Sequence, residues 1–219
     1  MQKINAVLFD LDGTLIDSES YYYAGWQPIL KENYNLDITF NDWLDYFAGH
    51  TFLANIEVLK NHYGLSVDEH FMDKAVADYY ALTSMTRLGL MPFAEEALAH
   101  FKALGTRIGL VTSSYRSTVD TVLGGYGLLD NFEFFVTREK VFYAKPNPEP
   151  YLLATDLLQL PKEEIIVVED TITGATAAKA AGLYCYGISQ HAVERERLVK
   201  KVDQLYFSLA ELIAATVTA

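Results

Sequence analysis

Two aspartates spaced two residues apart, Asp10 and Asp12, end the apolar run Ala6-Val7-Leu8-Phe9 and lead into Gly13-Thr14. In extended chain, residues at i and i+2 project to the same side, so both carboxylates are brought close together. Their repulsion either raises one pKa or demands a cation. Asp-Gly is also ordinary turn chemistry, and the pair alone is equally a device for ending a strand. A second acidic pair, Glu169-Asp170, follows the apolar run Ile165 to Val168. Two acidic pairs at the same end of neighbouring parallel strands would form an oxygen-rich site for a hard cation, and Mg²⁺ suits few protein ligands supplemented by water and phosphate. Asp170 has a second reading, as an N-terminal cap that complements the dipole of a helix over Thr173 to Ala181.

Thr112-Ser113-Ser114 ends a third apolar run, Ile108 to Val111, just before a helix predicted over Tyr115 to Leu123 and stopped by Gly124-Gly125. Hydroxyls and free N–H groups at such a point bind anions, and the same residues serve equally as N-caps. Lys145 lies in Ala144-Lys145-Pro146-Asn147-Pro148, where Pro148 is placed to open a helix. A lone lysine is ordinarily a solvated surface charge. This one gains interest because clustered carboxylates need a positive group.

Positioning these residues requires a scaffold. Continuous apolar runs at 6–9, 108–111, 134–136, 165–168 and 183–188 fit strands buried on both faces. Amphipathic stretches lie between them, the clearest being Ala94, Ala97, Leu98, Phe101 and Leu104 before Gly105. Their regular alternation from about residue 86 predicts an α/β fold with a parallel sheet and helices on both faces. Residues from about 18 to 85 contain helical spacing, as in Leu53, Ile56, Leu59 and Lys60, and no buried strand. The reading is a core over 1–17 and 86–219, with a helical insertion over 18–85. The insertion is rich in aromatics, including Tyr21, Tyr22, Tyr23, Trp26, Trp43 and Phe47, most of them expected to form its own core. The tail from Leu209 reads as a last helix.

The whole chain sets further bounds. Its 219 residues allow a substantial hydrophobic core, and 51% hydrophobic with 21% charged residues is ordinary for a globular protein. A formal net charge of -12 disfavours nucleic acid and anionic lipid as partners. A phosphorylated substrate would need the local field reversed, which a divalent cation does. Cys185 is the only cysteine, so no internal disulfide forms. With no early apolar run long enough for a signal peptide or a membrane span, a cytoplasmic protein is expected, acting as a monomer or weak oligomer.

Taken in order, Asp10-x-Asp12-Gly13-Thr14, Thr112, Lys145-Pro146 and Glu169-Asp170 with Gly174 resemble the haloacid dehalogenase (HAD) superfamily. The resemblance spans essentially the whole chain, with Asp17-Ser18-Glu19 leading into the insertion. It implies a Rossmann-like core (the HAD fold) with an α-helical cap inserted after the first strand. By the family pattern, Asp10 is the nucleophile that forms an aspartyl-phosphate, and Asp12 is the acid and base. Mg²⁺ would be held by Asp10, the backbone carbonyl of Asp12 and Asp170, with Glu169 direct or through water. Thr112 would bond the phosphoryl group, Lys145 would offset its charge, and the backbone N–H groups of Leu11 and Ser113 would add donors. Ser114 completes that phosphate-binding loop.

Within this superfamily, strict dehalogenases lack the acid/base aspartate, so Asp12 argues against that activity. Phosphonatases bring a cap lysine that Phe47-Ala48-Gly49-His50-Thr51-Phe52 does not contain. A β-phosphoglucomutase-like isomerase shares the core residues. Its pattern expects a histidine where this chain has Tyr22 and an arginine where it has Phe52. Loss of a bidentate guanidinium is not repaired by an aromatic ring, which favours a hydrolase of small phosphorylated metabolites. A binding module without turnover is the reading of another class, disfavoured by the intact acidic pairs. His50 is the foremost candidate for substrate contact in the cap, although turns often carry histidine with no such role; Glu19 and Tyr22 are further candidates.

Overall fold

The computed structural model describes residues 4–83 and 88–217. Backbone packing divides the chain into two compact units, 1–17 with 89–219, and 18–88. The expected junction at 85/86 lies outside the described residues.

The first unit is built on six parallel strands: β1 (Ala6–Phe9), β2 (Arg107–Val111), β3 (Phe134–Val136), β4 (Ile165–Glu169), β5 (Tyr184–Ile188) and β6 (Gln204–Tyr206). They lie in the order β3-β2-β1-β4-β5-β6. β1 and β4 are buried at every position, as continuous apolar runs between two layers of helix must be. The order reverses beside β1, since the chain moves outward through β2 and β3 and then returns to place β4 on the other side. Crevices at such a reversal, at the carboxyl ends of the strands, are where ligands bind in open α/β sheets. The register pairs Phe9 with Val168, so Asp10 and Glu169, the next residue of each strand, end side by side.

Two helices of the first unit bear on the site. In α7 (Glu149–Leu158), Pro150, Tyr151, Ala154 and Leu158 form the buried face. This face packs into a core that includes Val111, Val136, Val167 and Cys185. Pro148 occupies the N-cap position, in line with its expected role at the start of a helix. In α8 (Ile172–Ala180), the cap is Thr171, whose side chain accepts from the Gly174 N–H at 3.0 Å. Asp170 is therefore not the capping residue. A helix begins one residue later than read over 115–123 and runs to Gly125, so Gly124-Gly125 lies within its last turn: this is α6 (Arg116–Gly125). α5 (Ala94–Ala103), α9 (Ala192–Leu198) and α10 (Leu209–Val217) are the other α-helices among the described residues of this unit.

The second unit contains α1 (Ser18–Tyr34), α2 (Phe40–Tyr46), α3 (Phe52–Asn61) and α4 (Glu69–Leu82), with no strand among its described residues. Its core holds Trp26, Trp43, Phe47, Ile56 and Leu59. Trp43 and Phe47 stack at 5.3 Å with 8° between their planes. Leu53, counted as part of the α3 stripe, is exposed, because the buried face is set by Ile56 and Leu59 one turn on. Thr39 and Asp42 form a capping box that starts α2, and Thr51 caps α3.

Candidate active site

β1 carries Asp10 to the centre of the sheet edge, where its backbone N–H donates to the Val168 carbonyl at 3.0 Å. The chain then turns at once: the Gly13 N–H donates to the Ile16 carbonyl at 2.8 Å, and that of Leu15 to Leu11 at 2.8 Å. Gly13 has φ +75°, and a Cβ there would lie 2.0 Å from Asp170 Oδ2. Both backbone conformation and space thus require glycine. Thr14 is fully buried and donates through Oγ1 to Asp170 Oδ1 at 3.3 Å, tying the first acidic loop to the second.

Lys145 sits among the carboxylates with only 5% of its side chain exposed. Its ammonium donates to Asp10 Oδ1 at 2.6 Å, Glu169 Oε1 at 2.6 Å and the Val111 carbonyl at 2.9 Å. Those three bonds use all three of its protons. Burial alone would pull Lys145 down, but the charges of Asp10 and Glu169 reverse this and hold it above its ordinary value. Burial pushes the Asp10 carboxyl well above the usual carboxylate range; Lys145 opposes the rise, while Glu169 and Asp12 reinforce it. Among these groups, one ammonium faces several carboxylates, and the imbalance is the physical demand for a further cation.

The acidic groups fit that demand. Asp10, Glu169 and Asp170 each offer an oxygen, all within 4.8 Å of one another. Carboxylate oxygens grouped this closely are the donor set of a hard divalent ion. Glu169 is fully buried and already heavily engaged. Its Oε1 accepts from Lys145 and from the Tyr151 hydroxyl at 2.6 Å, and its Oε2 accepts from Thr171 Oγ1 at 3.1 Å. Gly174 makes room for it, since a Cβ there would meet Oε1 at 1.8 Å.

The loop after β2 supplies polar hydrogens. The Thr112 N–H donates to the Val136 carbonyl at 2.9 Å, and its buried Oγ1 accepts from the Ser114 N–H at 2.9 Å. With its oxygen pinned, the Thr112 hydroxyl keeps a proton to give. Ser114 Oγ donates to Asp12 Oδ2 at 2.7 Å, which couples this loop to the first aspartate pair. Ser113 is exposed on the same loop, and Leu11 is buried, so any part it plays comes through its backbone.

Asp10, Asp12, Thr112, Ser114, Lys145, Glu169 and Asp170 are thus linked by direct bonds or close approach. His50 belongs to the other unit, in an exposed turn where its N–H donates to the Phe47 carbonyl at 3.1 Å. Glu19, considered for substrate contact, accepts from Trp43 Nε1 at 2.7 Å and from the Gly49 N–H at 3.1 Å, so it holds that turn in shape. Tyr22 packs edge-on against Tyr80, and Phe52 lies against Trp26. Thr14 was read as part of the first motif but given no role, and two residues of the site escaped the sequence reading: Thr171 and Tyr151. Thr171 was signalled by its place before Gly174, as a cap. Tyr151 looked like any aromatic on a buried helical face.

Comparison with known proteins agrees with this geometry. The family model of the haloacid dehalogenase-like hydrolases matches residues 4–182. Validoxylamine A 7'-phosphate phosphatase of Streptomyces hygroscopicus subsp. limoneus is 33% identical over 184 residues, 83% of this chain and 84% of that protein. Beta-phosphoglucomutase of Bacillus subtilis is 27% identical over 195 residues, covering 85% and 84% of the two chains. A HAD family hydrolase from Deinococcus radiodurans R1, solved with bound phosphate and sodium, superposes with a TM-score of 0.85 at 29% identity, covering 100% of this chain and 97% of the other. With the family model spanning most of its length and its acidic loops at the sheet reversal, the chain belongs to the haloacid dehalogenase-like hydrolases.

Proposed function

We propose that this hydrolase cleaves small-molecule phosphate monoesters through an aspartyl-phosphate on Asp10, with Mg²⁺ as its cation. The carrying observation is the buried Asp10 carboxylate, held by Lys145 at 2.6 Å and grouped with Glu169 and Asp170 within 4.8 Å. Asp10, Asp170 and the backbone carbonyl of Asp12 would hold Mg²⁺, with Glu169 supporting through its charge or a water. When bound, the ion supplies positive charge that lets a phosphate approach these carboxylates.

In the first half-reaction a carboxylate oxygen of Asp10 attacks phosphorus and the bond to the ester oxygen breaks. Asp12 gives its proton to the departing alkoxide, so a neutral alcohol leaves. In the second, Asp12 takes a proton from water, the resulting hydroxide attacks phosphorus, and the phosphorus–Asp10 bond breaks to free phosphate. Ser114 Oγ, bonded to Asp12 Oδ2, orients Asp12 for both transfers. Lys145 offsets charge on Asp10 and its neighbours, and the Thr112 hydroxyl is free to donate to a phosphoryl oxygen.

An isomerase like the related beta-phosphoglucomutase would require a second phosphate to be neutralised. Tyr22 and Phe52, at the positions where that pattern expects cationic side chains, are aromatics engaged with Tyr80 and Trp26. A hydrolase is favoured. The direct test is p-nitrophenyl phosphate or acetyl phosphate with and without Mg²⁺, together with acid quenching to trap phosphate on Asp10. Mg²⁺-dependent release is expected; a wild-type protein without turnover on either compound refutes the reading. Asp10→Asn should abolish both release and trapped phosphate, and substantial residual turnover would remove Asp10 from its role.

A further inference from the structure

We infer that Tyr151 is a positioning residue of this site, holding Lys145 against Asp10 by acting on Glu169; the catalytic consequence rests on the phosphatase reading above. Three observations lead there. The Tyr151 side chain is fully buried, and its hydroxyl donates to Glu169 Oε1 at 2.6 Å. The same oxygen accepts from Lys145 Nζ at 2.6 Å. The Tyr151 ring also lies beneath that ammonium, with Nζ 5.0 Å from the ring centroid. One side chain therefore touches both members of the ion pair, with its hydroxyl on the carboxylate and its ring face toward the cation.

This arrangement fixes Glu169 from every side. Thr171 Oγ1 holds Oε2 at 3.1 Å, and the absent side chain of Gly174 leaves the carboxylate pressed against α8. A carboxylate so bounded has little freedom to rotate. Lys145, with all three protons committed, then sits at a position defined by Asp10, Val111 and Glu169 together. Without the phenol, Oε1 has one donor fewer, and a buried charge short of a donor recruits the nearest alternative. Lys145 already donates to that oxygen at 2.6 Å, so the Glu169 carboxylate instead turns toward other donors and carries the ammonium it holds away from the nucleophile. Tyr151 reaches no reacting atom in this chain of contacts, and its influence passes through Glu169 and Lys145.

The test is Tyr151→Phe, which keeps the ring and removes only the hydroxyl. The expected loss is about tenfold in kcat with KM within about twofold. Placed in a Glu169→Gln background, the same change should cost much less than it does alone, because its effect runs through that carboxylate. A merely structural role predicts a lower melting temperature, an unchanged kcat and additive losses, and would overturn the proposal. A crystal structure of Tyr151→Phe reads the positioning directly and does not depend on turnover. Lys145 Nζ is expected to move away from Asp10, and a Lys145 and Glu169 superposing on their wild-type positions would refute the inference. An inactive wild type would instead count against the phosphatase reading, while the crystal structure still decides the role of Tyr151.

Discussion

Lys145 donates three bonds to protein atoms before any substrate is present, which separates holding a charge in place from touching the substrate. On the proposed phosphatase reading its contribution is chiefly the field it exerts on Asp10, and field effects in a dry pocket are large. Ser114 is a more local case, since its hydroxyl orients the Asp12 carboxylate at 2.7 Å. Ser114→Ala is expected to lower kcat by about tenfold with little change in KM, measured by steady-state kinetics on p-nitrophenyl phosphate. Ser114→Thr, which keeps the hydroxyl, should restore most of that loss. Gly13→Ala is expected to be far more severe. Its Cβ would collide with Asp170 at 2.0 Å in a backbone conformation that alanine resists, so Mg²⁺ affinity measured by calorimetry should fall together with activity. The sequence marked Asp10, Asp12, Lys145 and Asp170 because charged groups at strand ends stand out against apolar runs. Tyr151 left no such mark: a phenol that bonds a carboxylate and one that fills a core look alike in a string of letters.

At the scale of elements, the strands that read most clearly were those buried on both faces, β1, β2 and β4, because short unbroken runs of Val, Ile and Leu suit the middle of a sheet covered by helices on either side. β6 escaped notice because it is three residues long, Gln204-Leu205-Tyr206, and polar at its start. Helix starts were less legible than helix bodies, as the shift of the cap from Asp170 to Thr171 shows. One inter-element tie had no sequence signal at all. Arg107, at the start of β2, donates to the Leu158 carbonyl at the end of α7 at 2.7 Å and to Glu133 at 2.7 Å. Arg107→Ala is expected to cost about 1–2 kcal/mol of stability by urea denaturation, with most of the loss from the Leu158 bond because the Glu133 pair is partly exposed. The bond from Arg107 holds Glu133 below the usual carboxylate range. A depressed carboxylate stabilises above its unfolded pKa and loses that contribution as pH falls through its folded value. The difference between wild type and Arg107→Ala should therefore narrow on acidification, and a constant difference across that range would show that the pair contributes nothing.

For the whole molecule, the net charge of -12 and a site with more carboxylates than ammonium groups point the same way. Like charges held together weaken the folded state until a cation relieves them. Millimolar Mg²⁺ is therefore expected to raise the melting temperature at neutral pH, while Asp170→Asn should shrink that rise, both read by thermal denaturation. Among the described residues no helix is long and apolar enough to cross a membrane. The α/β class was legible because alternating apolar runs and amphipathic stretches leave few other architectures. Family membership was legible because four short motifs recur in one order. Substrate choice was not: Tyr22 and Phe52 of the insertion, weighed for substrate contact or specificity, are residue types that serve that unit's own core.

β1 lies between β2 and β4, and all four of its residues are fully buried. The Asp10 amide extends the same ladder to Val168. Backbone protons in such a strand trade with deuterium only when the sheet itself comes apart. The residue proposed as the nucleophile is thus fastened to a buried central strand of its sheet. Loss of catalysis in denaturant should then coincide with loss of the sheet, leaving no folded but idle form between them.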